Sequence, residues 1–455
     1  MSLFNSSLGS EKIGEILKNK DVRILFLGIG GVGMSSLALL MKSRGYSVSG
    51  YDRDNKSETV ARLVESGVEI IDGEADFRWD EYGMLVYTLA IDEFDPIYLS
   101  ATALGVPAVS RAELLGVVMS DYKKRIAVAG THGKSTTTAI IDCILSYGGY
   151  NPTTVSGAPI KDGIAFREGG EDYFVLEACE YKNSFLKFKP TSAIITGIEL
   201  DHTDFFTGFR MLEEAFLNFA KLCSDFVIVN ESCANNIKGR IKAPVFTISD
   251  LEGADLVYRI TYRGNGIRSF TLSCRGRRIG EFSLRTISDC VVTDAAMAVA
   301  LLYLSGVDVK SIASGLAAFS GVPRRLERIS TLDGRAVIYD YAHHPTEIRE
   351  TIKAVRDEWG ECTVVFCPHT YSRTASLWED FVTSLSLADH LVLTDIYAAR
   401  EVAIEGVSSE HLARSIRGAV CLPPHEVYPY VKEKTAGAVV LMGAGNLDTV
   451  RDSFL

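Results

Sequence analysis

The strongest chemical signal in the sequence is a glycine-rich loop directly after the apolar residues 126–129. The loop consists of Gly130, Thr131, His132, Gly133, Lys134, Ser135 and Thr136. Glycines allow backbone N–H groups to surround phosphates, a lysine supplies a charge for the β- and γ-oxygens, and a serine hydroxyl can bind Mg²⁺. The loop is shorter than the GxxxxGK[ST] form. Its residue types still predict a site for a nucleoside triphosphate, with a helix beginning near Thr136.

A second glycine-rich loop lies nearer the N-terminus. Residues 28–33 read GIGGVG and lie between the apolar residues 23–27 and a helical stretch at 34–44. Such a loop offers N–H groups and a positive helix end to a pyrophosphate. The residues expected to contact it are Gly30, Gly31, Val32 and Gly33. Asp52 follows the next strand at a distance of about twenty residues, where a ribose or base contact usually lies. A nicotinamide dinucleotide fits this pattern, and so does a turn without a ligand.

Histidines and acidic residues gather in polar segments that follow other apolar runs. The histidines in these segments are His132, His202, His343, His344 and His369. The carboxyl ends of parallel strands meet at one edge of a sheet, where α/β proteins bind their ligands. Glu177 ends one apolar run and His202 follows the next, so together with Ser135 they are predicted to bind Mg²⁺. Histidine is an unusual Mg²⁺ ligand, so His202 could instead donate a hydrogen bond to a phosphate.

Alternating apolar runs and helical stretches predict the elements that hold these loops. One α/β series spans 22–118, a second begins at 126, and a third runs through 337–443. Residues 258–285 alternate instead and contain two glycine-bearing turns, which is typical of antiparallel hairpins. We predict an α/β protein whose first and third domains are Rossmann-like and whose central domain is a P-loop ATPase-like parallel sheet with an antiparallel edge. The predicted domains are 1–120, 121–322 and 323–455.

Composition and charge exclude several classes of protein. The chain has 455 residues, 47% hydrophobic and 23% charged, which excludes a disordered chain. A formal net charge of −11 without a Lys/Arg block argues against a nucleic-acid partner. The longest apolar runs are strand-sized, so no membrane span is expected. The N-terminus lacks a secretion signal, and the nine scattered cysteines form no CxxC pair. We therefore expect a cytoplasmic protein with reduced thiols.

Taken together and in order, the polar segments resemble those of the Mur ligase family. The matching motifs are GIGGVGMS (28–35), RAELL (111–115), AGTHGKSTTT (129–138), EACEYKNSF (177–185), TGIELDHTDFF (196–206), GVPRRLE (321–327), DYAHHPTE (340–347), PHTYSRT (368–374), DIYAARE (395–401) and GAGN (443–446). The resemblance covers nearly the whole chain after residue 20. The last motifs, and Leu217 where other branches carry a carbamylated lysine, are most similar to the alanine-adding branch.

The resemblance implies a ligase that uses ATP and Mg²⁺. Its first domain would hold the UDP of UDP-N-acetylmuramate, its second ATP and Mg²⁺, and its third would close over both. The muramate carboxylate would take the γ-phosphoryl group of ATP, and the amine of L-alanine would then attack the acyl phosphate. Such chemistry needs charge and orientation rather than a nucleophilic side chain. No nucleic-acid or membrane partner is implied, and the enzyme would be a monomer or a homodimer.

The resemblance also implies roles for individual residues. Those implied for catalysis are Lys134, His202, His344 and Arg373. Those implied for ATP, beyond the loop 130–136, are Arg325 and Asp340. Those implied for the other substrates, beyond the loop 28–33 and Asp52, are Thr88, Arg111, Tyr341, His369 and Arg373.

Several positions depart from the family pattern. The family's GxHNxxN stretch, which holds adenine, should fall near 287–294, but these residues read ISDCVVTD and contain no asparagine. Glu74 stands where a histidine is usual, and Thr370 where an arginine is common. Three alternatives therefore stay open. The chain could add another amino acid or a recycled peptide, it could be a catalytically impaired paralogue with a binding role, or it could be a nicotinamide dehydrogenase. The last does not account for the loop at 130–136.

We expect weak discrimination between purine triphosphates. Without an asparagine amide to read the adenine edge, discrimination between bases must come from stacking, backbone groups or a residue elsewhere in the chain. GTP should therefore be used with a smaller penalty than in a relative that carries the HNxxN motif, and the change should appear mainly as a raised KM for ATP. The measurement compares both nucleotides in the unmodified protein and in Val291→Asn, which restores one amide. A preference of about a thousandfold in the unmodified protein would contradict this expectation.

Overall fold

The computed structural model describes residues 8–73, 77–91, 94–160, 163–203, 205–399, 401–445 and 447–455. Glu74, Asp204, Arg400 and Asn446, which belong to the segments discussed above, lie outside these ranges. The chain forms two compact units. The first unit contains the chain up to Ile198 together with Leu212–Thr247 and Leu304–Gly306. The second unit contains Glu199–Met211, Ile248–Tyr303 and Val307–Leu455.

The first unit begins with a parallel sheet of strand order β3-β2-β1-β4-β5. The strands are β1 (Arg23–Leu27), β2 (Ser47–Tyr51), β3 (Glu69–Ile70), β4 (Met84–Tyr87) and β5 (Ala108–Ser110). The helices are α1 (Ser10–Leu17), α2 (Val32–Ser43), α3 (Glu58–Glu65), α4 (Pro96–Ala103) and α5 (Arg111–Met119). Side-chain caps fix several helix starts; Ser110, for example, forms a capping box with Glu113. The predicted strand–helix alternation is confirmed.

A second sheet in the first unit has the order β11-β10-β6-β9-β7-β8. Its strands are β6 (Lys124–Ala129), β7 (Thr153–Val155), β8 (Phe166–Arg167), β9 (Tyr173–Glu177), β10 (Ser192–Ile195) and β11 (Phe226–Asn230). They are parallel except β8, which runs antiparallel to β7. The helices are α6 (Lys134–Tyr147) and α7 (Phe209–Lys221), of which α7 begins in the second unit. Strand β6 is central, and its last four residues are fully buried. It therefore delivers the loop at 130–136 from the middle of the sheet.

Helix α6 begins at Lys134 rather than near Thr136, so that expectation was wrong by two residues. Gly133 precedes it with φ +80°, a left-handed conformation that costs glycine little. The loop can therefore turn into the helix at once, which brings Lys134 and Ser135 into the first helical turn.

The second unit combines an antiparallel group of strands with a third sheet. After β12 (Val245–Ser249), which begins in the first unit and ends in the second, come β13 (Leu256–Gly264), β14 (Ile267–Cys274), β15 (Arg277–Arg285), α8 (Asp289–Leu304) and α9 (Val309–Ala318). The two hairpins predicted within 258–285 are confirmed. Asn265 and Gly266 both have positive φ, as a two-residue hairpin turn requires.

The third sheet has the order β16-β17-β21-β18-β19-β20. Its strands are β16 (Glu327–Leu332), β17 (Arg335–Asp340), β18 (Cys362–Phe366), β19 (His390–Leu393), β20 (Val420–Cys421) and β21 (Ala438–Met442). Its helices are α10 (Pro345–Trp359), α11 (Tyr371–Ser376), α12 (Trp378–Leu385), α13 (Ser409–Arg414), α14 (Pro424–Lys434) and α15 (Asp448–Asp452). Only β16 runs antiparallel to its neighbour, so the other strands end at one edge. The segments 341–344 and 368–373 both follow strands at that edge.

In the part of the chain that the structure describes, no helix has the length and apolar character needed to cross a membrane.

Candidate active site

The loop at 130–136 packs so closely that its first residue has to be glycine. Gly130 has φ +135°, and a Cβ atom there would lie 2.0 Å from Thr196 Oγ1. The Thr196 hydroxyl donates a hydrogen bond to the carbonyl of His132, and Thr131 N–H donates to the carbonyl of Gly197 at 3.0 Å. The loop is therefore held against the end of β10, and α6 starts directly behind it. A helix N-terminus in this position favours an anion such as phosphate.

Lys134 lies inside this loop and is paired with an acid that the sequence analysis missed. Its ammonium group lies 3.1 Å from a carboxylate oxygen of Glu180, and it donates to the carbonyls of Gly130 and Thr131. The Glu180 side chain is 2% exposed. Burial opposes the charge on Lys134, but the acidic groups around it, Glu180 foremost, raise its pKa above the ordinary value. Lys134 is therefore a fixed cation.

Ser135 and Glu177, both predicted to bind Mg²⁺, lie side by side. The Ser135 hydroxyl donates to Glu177 Oε1 at 3.0 Å, and the other carboxylate oxygen accepts from Gly157 N–H at 2.6 Å. A hydroxyl and a carboxylate beside a phosphate loop are the oxygen donors that Mg²⁺ prefers, so these residues fit the ion. His202 belongs to the second unit, and its proposed place in this metal set stays a prediction.

The glycine loop at 28–33 gathers the other residues predicted for it. Gly30 N–H donates to Asp52 Oδ2 at 2.8 Å, and a Cβ on Gly28 would lie 2.8 Å from Thr88 Cγ2. The Arg111 guanidinium lies against Gly33, where a Cβ would be 2.9 Å from Nη1. Burial lowers the pKa of Arg111, an effect that Cys179 and Glu177 only partly offset. Arg111 thus brings a guanidinium to the glycine loop.

A second cluster of predicted residues lies in the second unit around Arg373. Its guanidinium contacts Asp201 Oδ1 at 3.1 Å and His369 Nδ1 at 3.1 Å. Burial opposes ionisation of Asp201, but Arg373 overcomes it and holds the pKa of that carboxyl well below its ordinary range. The His369 ring stacks on Tyr397 with centroids 5.7 Å apart. Because Arg373 donates to Nδ1, His369 carries its proton on Nε2 when neutral.

His343 is a member of this cluster that the sequence analysis named but did not assign to the site. Its ring lies 5.4 Å from Tyr341 and 6.0 Å from His369 between centroids. His343 Nδ1 lies 3.0 Å from the carbonyl of Tyr341, so the neutral ring donates from Nδ1 and keeps a lone pair on Nε2. Burial lowers the pKa of His343 to about 4, although Glu347 opposes the shift.

Other residues predicted for the site also hold the fold together. Asp340 is 5% exposed, and its carboxylate accepts from Leu326 N–H at 2.6 Å and from Ala342 N–H at 2.8 Å. His344 caps α10 by accepting from Thr346 N–H at 3.3 Å. Their implied roles in catalysis and nucleotide binding stay predictions.

Arg325 and His202 are placed beside the same cluster of the second unit. The Arg325 guanidinium lies 5.0 Å from the centre of the Tyr341 ring and 3.9 Å from Glu347 Oε1. His202 has φ +52°, and its N–H donates to Asp201 Oδ1 at 2.7 Å. A left-handed histidine is a strained arrangement that surrounding contacts must hold.

Comparison with known proteins identifies the family of the chain. Three family models match the chain in order: the Mur ligase family catalytic domain at residues 23–123, the Mur ligase middle domain at 128–302, and the Mur ligase glutamate ligase domain at 324–450. The chain belongs to the Mur ligase family. It has the α/β, three-domain Mur ligase fold, and Mur ligases are ATP-dependent. The boundaries predicted at 120 and 322 stay predictions.

Named relatives span nearly the whole chain. The UDP-N-acetylmuramate–L-alanine ligase of Caldanaerobacter subterraneus subsp. tengcongensis is 39% identical over 97% of this chain and 99% of its own. The ligase of the same name from Alkaliphilus metalliredigens is 36% identical over 95% and 96%. Among solved structures, the UDP-N-acetylmuramate–alanine ligase of Thermotoga maritima has TM-score 0.78 at 24% identity, covering 95% of this chain and 98% of that one. A murein peptide ligase of Psychrobacter arcticus has TM-score 0.69 at 22% identity, with coverage of 95% and 98%.

We expect Gly157→Ala to weaken Mg²⁺ binding. A Cβ at this position would lie 2.7 Å from Glu177 Oε1 and 2.8 Å from Oε2, so the carboxylate has to leave Ser135. Calorimetry with Mg²⁺ and ADP should show an affinity for the metal lower by about tenfold, a loss of about 1.4 kcal/mol. Gly170→Ala is the matched control, because the nearest atom to its Cβ would lie 3.7 Å away. Equal Mg²⁺ affinity in both variants would show that Glu177 is not a ligand of the metal.

We also expect His343 to make stability depend on pH. Its pKa is about 4 when folded and 6.5 ordinarily, so the unfolded chain binds the extra proton first as the pH falls. The stabilisation is present above pH 6.5 and is lost as the pH falls towards 4. When the pH falls from 7 to 5, the unfolding free energy of the unmodified protein should decrease by about 1–2 kcal/mol more than that of His343→Gln. Urea titrations at the two pH values measure this difference, and identical losses would contradict it.

Proposed function

We propose that this chain joins L-alanine to the carboxylate of UDP-N-acetylmuramate, with conversion of ATP to ADP and phosphate, in the synthesis of peptidoglycan precursors. The observation that carries the proposal is the arrangement of Lys134, Ser135 and Glu177 at the ends of the neighbouring strands β6 and β9 in a Mur ligase chain. Full-length relatives that bear this activity in their names support it. The reaction is placed in the cytoplasm, which the nine free thiols support.

The first half-reaction transfers a phosphoryl group. A carboxylate oxygen of the muramate attacks the γ-phosphorus of ATP, the bond to the β,γ-bridging oxygen breaks, and an acyl phosphate and ADP result. Lys134 stabilises the charge on the moving phosphoryl oxygens. Bound Mg²⁺, held by Ser135 and Glu177, would neutralise charge on the β- and γ-phosphates. The loop at 28–33 binds the UDP pyrophosphate, and Arg111 beside it attracts the sugar nucleotide's anionic groups.

The second half-reaction forms the amide. The neutral amine of L-alanine attacks the acyl carbon, the tetrahedral intermediate expels phosphate, and the amine loses a proton. In the second unit, Arg373 binds the alanine carboxylate, and Tyr341, His344 and His369 line the same region. The pair with Asp201 fixes the position of Arg373, so its guanidinium is oriented before the substrate arrives.

A Mur-type ligase that adds a recycled peptide is the second candidate, because a murein peptide ligase shares the fold. Phosphate release with UDP-N-acetylmuramate, ATP and Mg²⁺ separates the two. L-Alanine should support a kcat/KM at least about a hundredfold above that for L-serine, glycine or a tripeptide. Faster turnover with the tripeptide would favour the second candidate. Micromolar binding of NAD(H), with no binding of the UDP sugar, would contradict both ligase functions.

We expect Lys134→Ala to abolish turnover while leaving UDP-sugar binding intact. The ammonium group contributes to the phosphoryl transition state, and the UDP sugar binds at a different glycine loop. Phosphate release should fall by more than about a thousandfold, and calorimetric affinity for the UDP sugar should change by less than about threefold. Lys123→Ala, which removes an exposed lysine of the same unit, is the control. A loss below about tenfold would contradict the role of Lys134.

A further inference from the structure

Helix α10 joins the candidate site to a distant contact within the second unit. At its N-terminal end, His344 is the capping residue, Glu347 completes the capping box, and Thr346 Oγ1 donates to Glu199 Oε2 at 2.7 Å. The helix is 15 residues long, so its two ends are about 22 Å apart. A helix of this length behaves as a rod, and fixing its C-terminal end also fixes the direction of its N-terminal end.

The C-terminal end of α10 is held by Glu358. Its Oε1 accepts from the Gly266 N–H at 2.9 Å, in the turn between β13 and β14, and its Oε2 lies 3.5 Å from Arg268 Nη1. Arg268 is 3% exposed, so removing one of its partners would leave a buried charge short of compensation. Arg268 also donates to the Ile287 carbonyl at 2.6 Å. Glu358 thus connects α10 to both the hairpin and the segment before α8.

Apolar packing holds α10 on the third sheet through the buried residues Ile348, Ile352 and Val355, whereas its side towards β13 is largely polar. A cavity of about 400 Å³ lies between β13, α8 and α10, with Tyr258, Cys290 and Lys353 among its lining residues. A polar cavity of this size admits water, so the surfaces around it gain little from apolar burial. The Cys290 thiol donates to Glu350 Oε2 at 3.3 Å, but a thiol is a weak donor. Glu358, by contrast, contacts both a backbone N–H and a buried guanidinium of the antiparallel strands.

We propose that Glu358 is a positioning residue for amide formation. By holding the C-terminal end of α10 on Gly266 and Arg268, it keeps the N-terminal end in register with Glu199 and with the His343 and Tyr341 side chains. Glu358 itself touches no substrate. The expected change in kinetics rests on the proposed function. The expected change in structure rests only on the geometry of α10.

Glu358→Ala and Asp357→Ala are the paired variants, because Asp357 is an exposed carboxylate on the same helical turn. We expect Glu358→Ala to raise the KM for L-alanine by about tenfold, a change of about 1.4 kcal/mol. The dissociation constant of the UDP sugar, which binds elsewhere, should stay within about twofold. Glu358→Gln keeps an oxygen acceptor for Gly266 and should be intermediate, and it substitutes for the alanine variant if that does not fold. Asp357→Ala should match the unmodified protein.

Hydrogen–deuterium exchange separates a failure of this inference from a failure of the proposed function. Glu358→Ala should speed amide exchange at 264–268 and also at 346–349, at the opposite end of α10. A lower melting temperature with an unchanged KM for L-alanine, or faster exchange confined to 264–268, would overturn the inference. If the unmodified protein does not turn over L-alanine, the proposed function fails. In that case, the rate of amide exchange at 346–349 alone tests the role of Glu358 in positioning α10.

Discussion

The buried pair of Lys134 and Glu180 is the interaction on which the phosphate loop depends. An ammonium group at the centre of a tight loop would be costly to bury alone, and the carboxylate of Glu180 offsets that cost. Lys134 also donates to the carbonyls of Gly130 and Thr131, so the same ammonium group holds the loop in its closed conformation. The loop is consequently shaped for phosphate before any nucleotide is bound, and Lys134 needs only to change its hydrogen-bond acceptors when phosphate oxygens arrive.

Much of the fold could be predicted from the sequence because each sheet is built from short apolar runs at regular spacing. The parallel arrangement then explains why Ser135 and Glu177, 42 residues apart, meet at one edge. Gly157 and Glu180 could not be found in the same way. The contact of Gly157 with Glu177 depends on β7 lying beside β9, which follows from the crossover and not from a local pattern. Glu180 had a visible signal, a second acid three residues after Glu177, but its partner Lys134 lies in the first turn of α6, distant in the sequence.

The histidine pair at 343 and 344 shows another limit of sequence reasoning. Two identical side chains follow β17, and nothing in their order says which of them faces the site. In the structure His344 caps α10, whereas His343 packs against Tyr341 and His369. The following proline explains the choice, because its ring starts the helix and makes the residue before it the cap. A motif with many polar residues can therefore contain some whose main role is to stabilise the fold.

The segment 287–294, where the sequence analysis expected the family's adenine motif, has a structural task of its own. Asp289 accepts a bidentate pair from Arg263 at 2.9–3.1 Å and lies 3.4 Å from Arg268 Nε, while Arg268 binds the carbonyl of Ile287. A carboxylate in the first turn of α8 also interacts favourably with the helix dipole. Carboxylates cannot donate to the ring nitrogens of adenine, and this one is already occupied by two guanidinium groups. The start of α8 is thus tied to its neighbouring strands through charge.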